Sequence, residues 1–77
     1  MRNLLLVEDS GVDRMITESL LGGHGFVCIP AQDGFQALEK LREWSIDVVV
    51  TDLVMPNLDG IGLVKAMRKE FPTIPVM

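Results

Sequence analysis

The chain has 77 residues, 48% of them hydrophobic, with a mean hydropathy of +0.31, a formal net charge of -4 and a pI near 4.7. Seven Lys and Arg against 11 Asp and Glu, with no basic cluster, argue against direct binding of nucleic acid. The single cysteine, Cys28, excludes an internal disulfide, and no apolar run approaches membrane-spanning length. One domain is the most this length accommodates, and a chain this short hides only about 60–65% of its unfolded surface. So much apolar material predicts either that a partner covers the excess or that part of the fold is absent.

Strand-like and helix-like stretches alternate. Asn3 to Val7 reads as a strand, and Ser10 to Leu21 as a helix with Val12, Met15, Ile16 and Leu20 on or near one stripe. Gly22-Gly23 ends that helix. Phe26 to Ile29 is a second short strand, with Cys28 expected to be a buried, inert thiol. Asp33 caps a helix that runs to about Glu43, with Phe35, Leu38 and Leu41 inward. Val48 to Thr51 is a third strand. Gly60 to Phe71 is a third helix, capped by Asp59, with Val64, Met67 and Phe71 on its stripe, and Pro72 ends it. Ile74 to Met77 begins a fourth strand. This order is the βαβ pattern, which predicts an α/β fold: a parallel sheet with right-handed crossovers and flanking helices.

Two of the strands end in acid. Leu4-Leu5-Leu6-Val7 is followed by Glu8-Asp9, and Val48-Val49-Val50-Thr51 by Asp52. In an open parallel sheet ligands bind at the carboxyl ends of the strands, where strand order reverses. If the two strands are neighbours, Glu8, Asp9 and Asp52 meet there. Carboxylates at that range repel unless a cation lies among them, and hard oxygen ligands suit Mg2+.

Past Asp52 the sequence reads Leu53-Val54-Met55-Pro56, then Asp59-Gly60. With Leu5-Leu6-Val7-Glu8-Asp9, Asp33-Gly34, Ala37-Leu38 and the closing Pro72-Thr73-Ile74-Pro75-Val76-Met77, it resembles the receiver domain of two-component response regulators over its whole length. The resemblance implies a flavodoxin-like (receiver-type) sheet in the order 2-1-3-4-5. It also implies that Asp52 accepts a phosphoryl group from a sensor histidine kinase or phosphotransfer protein. Asp9 would bind Mg2+ directly, Glu8 through water, and Val54 through its backbone carbonyl. A receiver is a phosphoacceptor signalling domain, not an enzyme in the ordinary sense.

Set against that family, residues 1–77 hold three βα units and the start of a fourth strand, so the expectation is an incomplete, truncated receiver domain. The family's phosphate-binding Ser or Thr, its Lys and its aromatic switch residue lie in the units not present. A homo-oligomer, joined through the open sheet edge beside Val48 to Val50 or by swapping of the last strand, is expected to cover the exposed apolar surface. With no signal-peptide pattern before Glu8, the expected location is cytoplasmic.

Two rival readings remain. An aspartyl phosphohydrolase of the dehalogenase-like class wants a second Asp two residues after the nucleophile, where this chain has Val54. A truncated, signalling-incompetent receiver would act only as a self-associating or protein-interaction module. His24, in Gly22-Gly23-His24-Gly25, reads as a surface turn residue, and Trp44 as packing on the core edge.

Overall fold

The computed structural model describes residues 2–51 and 60–77. They form β1 (Arg2–Val7), α1 (Gly11–Gly22), β2 (Phe26–Ala31), α2 (Gly34–Glu43), β3 (Val48–Thr51) and α3 (Gly60–Glu70). The expected Asp59 cap lies outside the described residues.

All strand pairings are parallel, in the order β2-β1-β3. β1 lies in the centre because its Leu4–Val7 run can be buried on both faces, and all four of those residues are buried. β2 takes an edge, where Pro30 removes a backbone donor at no cost to the ladder. β1 pairs with β2 from Arg2↔Phe26 to Val7↔Ala31, and with β3 from Leu4↔Val48 to Val7↔Thr51.

The outer edge of β3, which the sequence left open, is taken by residues 75–77. The Val49 amide donates to the Pro75 carbonyl (3.0 Å), and the Met77 amide donates to the Val49 carbonyl (2.8 Å). The expected fourth strand is present as a parallel bridge, Val49↔Val76, which extends the order to that of a flavodoxin-like sheet.

Side chains alternate across a strand. Leu5, Val7, Ile29, Ala31 and Val49 therefore share one face, and they form a core with Ala37, Leu38 and Leu41 of α2 and Leu63 and Met67 of α3. Asp33 caps α2 as expected, its Oδ1 accepting the Gln36 amide (2.8 Å). Phe35, expected inward, is 58% exposed. The buried stripe of α2 runs Gly34, Ala37, Leu38, Leu41, and Phe35 stands one position off it. Trp44, the C-cap of α2, is 48% exposed rather than packed on the core edge. Along α3, Leu63 and Met67 are buried one turn apart and Val64 is half-buried; the helix ends at Glu70, and Phe71, just past it, is half-buried too.

α1 departs most from expectation. None of its residues is buried, and Val12, Met15, Ile16 and Leu20 face outward, Met15 with 71% of its surface exposed. The half-buried residues are Arg14, Thr17, Glu18 and Leu21, at the i, i+3, i+4, i+7 spacing of a single face. α1 packs on β2 and β1 with that face. Periodicity locates an apolar stripe but not the surface that covers it. After α1 the left-handed conformation falls at Gly25 (φ 85°), and His24 is exposed in the turn.

Candidate functional site at the acidic ends of two strands

The site starts from the end of β1. The Glu8 amide donates to the Ala31 carbonyl (3.0 Å), carrying the β1–β2 ladder one residue past the strand. The chain then turns out of the sheet into α1. Ser10 caps that helix, its Oγ accepting the Asp13 amide (3.3 Å). The Glu8 carboxylate Oε1 accepts the Ser10 amide (3.1 Å), next to the positive end of the helix dipole. The Glu8 carbonyl accepts from Arg14 Nη1 (2.8 Å). Glu8 is half-buried and Asp9 exposed, so the second acid is open to solvent and ligands.

Val7 and Thr51 are partners in the β1–β3 register, so the two strands end level with each other. In sequence the next residues are Glu8 and Asp9 on one strand and Asp52 on the other. Asp52 and Val54 themselves lie outside the described residues. Of the four expected site residues, Glu8 and Asp9 are therefore seen together at the carboxyl end of the sheet. No cluster of three or more His, Cys, Asp or Glu suited to a metal occurs among the described residues.

Elsewhere, a cleft of about 580 Å³ is lined by Thr51, Val64, Met67, Phe71, Ile74 and Val76, among others. Its mostly apolar lining suits packing rather than anion binding. Cys28 is half-buried rather than buried, and desolvation, with Glu18 adding to it, pushes its thiol pKa up. That favours the unreactive thiol. Among the described residues no helix is long and apolar enough to cross a membrane.

The sequence reading missed Ser10 as a cap and Arg14 as a partner of Glu8. Ser10 with Asp13 three residues on was a usable capping signal. Arg14 carried a weaker one: a cation one turn into a helix runs against the helix dipole and calls for a local anionic or carbonyl partner.

Residues 4–77 match the family model described as the response regulator receiver domain. The sensor histidine kinase RcsC of Salmonella typhimurium is 38% identical over 74 residues, which is 96% of this chain and 8% of that protein. Among solved structures, the response regulator TrrA of Thermotoga maritima, in complex with Mg2+–BeF, superposes with a TM-score of 0.94 at 26% identity, over 99% of this chain and 66% of that one. TrrA in complex with the histidine kinase ThkA gives a TM-score of 0.92, also at 26% identity, with the same shares of 99% and 66%. The chain thus spans a small part of RcsC and just under two thirds of TrrA. The family match over residues 4–77 and the superposition along nearly the whole chain make this chain a member of the response regulator receiver domain family, the flavodoxin-like signalling module of two-component systems.

Proposed function

We propose that this chain is a phosphoacceptor, taking a phosphoryl group onto Asp52 from a sensor histidine kinase or phosphotransfer protein. The observation that carries the reading is the Val7↔Thr51 register pair, which ends two parallel strands level with each other just before their acids. The TrrA complexes with Mg2+–BeF and with a histidine kinase add support by likeness.

The donor set of Glu8, Asp9, Asp52 and the Val54 carbonyl is all oxygen, which fits a hard divalent cation such as Mg2+. When bound, the metal offsets the repulsion between a carboxylate and an incoming phosphoryl group. The protein's own part is positioning. Asp52 supplies the attacking carboxylate oxygen. An oxygen–phosphorus bond forms as the donor's nitrogen–phosphorus bond breaks, and the donor imidazole keeps the electron pair. A carboxylate is a weak nucleophile, so the rate depends on alignment and charge balance rather than on a general base. The acyl phosphate product adds charge and acceptor oxygens at the sheet end, where they can bias neighbouring loops.

The test is intact mass after incubation with Mg2+ and a small phosphodonor, with Asp52→Asn alongside. A hydroxylamine-labile adduct on the wild type alone supports the reading. No adduct on folded protein, or an equal adduct on Asp52→Asn, overturns it.

A further inference from the structure

We propose that Arg14 is a positioning residue for the acidic site. Its guanidinium holds the Glu8–Asp9 peptide in the orientation from which the two carboxylates bind a divalent cation. The inference rests on the reading of Glu8 and Asp9 as Mg2+ ligands.

Glu8 is held at three points. Its amide donates to the Ala31 carbonyl, its Oε1 accepts the Ser10 amide, and its carbonyl accepts from Arg14 Nη1 at 2.8 Å. The first bond belongs to the ladder and the second to the start of α1. The third depends on one long side chain reaching back six residues. The Glu8 carbonyl and the Asp9 amide belong to one planar peptide, so a bond that fixes the carbonyl also fixes the direction in which Asp9 starts. A charged donor makes that bond stronger than a neutral one.

The location of Arg14 makes little sense as packing. It lies on the half-buried face of α1, where an apolar side chain would cover more of the sheet. It is also near the positive end of the helix, where a cation is disfavoured. The guanidinium lies alongside Gly11, where an added Cβ would come 3.8 Å from Nη2. Local rules broken together, with a bond to the backbone of a site residue in return, point to a role at that site.

Two effects of removing Arg14 have opposite signs. Loss of a nearby positive charge strengthens binding of a cation by simple Coulomb repulsion. Loss of positioning weakens it. The direction of the change therefore separates the proposal from a mere charge effect.

The experiment is a Mg2+ titration of the full chain, followed by the amide shifts of Asp9 and Ser10, with thermal melts to confirm folding. Arg14→Gln is expected to bind Mg2+ about tenfold more weakly, as for other groups that orient a metal ligand. Arg14→Lys should fall between it and the wild type. Arg42→Ala, which removes a charge from the C-terminal end of α2, should bind as the wild type does. Unchanged or tighter binding by Arg14→Gln overturns the inference. If Arg14→Gln does not fold, Arg14→Lys decides: weaker binding supports the inference, and wild-type affinity overturns it. Absence of Mg2+ binding by the wild type overturns the underlying metal reading instead, and the inference with it.

Discussion

Asn3 and Asp47 exchange a reciprocal pair of hydrogen bonds: Asp47 Oδ2 accepts the Asn3 amide (2.8 Å) and the Asp47 amide donates to the Asn3 carbonyl (2.8 Å). The Asn3 side chain also donates to the Ser45 carbonyl (2.8 Å). This clamp sits just before the first paired residues, Leu4↔Val48, and so sets the register that ends at Val7↔Thr51. A slip of one residue would turn Val49 from the core to the other face.

Removing one partner of the clamp should weaken folding. Asp47→Ala is expected to cost about 1 kcal/mol, the ordinary worth of such bonds. Asn3→Ala should cost a similar amount. The double variant should lose close to the sum, because the Asp47 side chain bonds the Asn3 amide and the Asn3 side chain bonds the Ser45 carbonyl, so the two truncations remove different bonds. Urea denaturation of the four proteins measures all three statements.

The two faces of α1 and the sheet core should respond very differently to truncation. Leu5 is fully buried, so Leu5→Ala should cost about 3 kcal/mol. That is a large part of the total stability, about 4–12 kcal/mol for a chain of this length. Met15→Ala on the exposed side of α1 should change stability by less than about 0.5 kcal/mol. A large loss for Met15→Ala would show that the outward face is covered in solution.

Arg42 and Glu70 tie the ends of α2 and α3, with Nε donating to Oε2 at 3.0 Å and Nη2 to Oε1 at 2.6 Å. The hydrogen bond from Arg42 holds the Glu70 carboxyl below its ordinary value. A lowered folded pKa contributes stability above the unfolded carboxylate range and loses it as pH falls through the folded value. The melting temperature of Glu70→Gln should therefore lie slightly below that of the wild type near neutral pH, and the gap should close in acid. Both side chains are about half exposed, so the effect should be small and shrink with added salt.

Burial, with Glu18 adding to it, raises the Cys28 thiol pKa and leaves less thiolate at any given pH. Alkylation of the native protein should be slower than that of the urea-unfolded chain. Glu18→Gln should speed the native reaction modestly. Equal rates in the native and unfolded states would contradict the partial burial of Cys28.

Much of the fold could be read along the chain. The Leu4–Val7 and Val48–Val50 runs are short, apolar and bounded by acid, so their strand character is local. Asp33 announced its helix because capping needs only a carboxylate three residues before the amide it accepts. Leu38, Leu41 and Met67 were inward by spacing alone. The acids of the site were legible for the same reason: they follow directly on runs whose character is unmistakable.

What the sequence by itself determined was the order of elements and the ends at which the acids stand, because both follow from local patterns of apolarity, capping and turn residues. The tertiary structure decided which strands are neighbours, that Val7 lies level with Thr51, that residues 75–77 close the edge of β3, and that α1 turns Arg14 rather than Met15 or Ile16 toward the sheet. These depend on pairings between residues far apart in the chain and on which surface is at hand to cover a face. A helical period reports that a stripe exists, while only the packed sheet chooses the face that lies against it, and with it the reach of Arg14 to the Glu8 carbonyl.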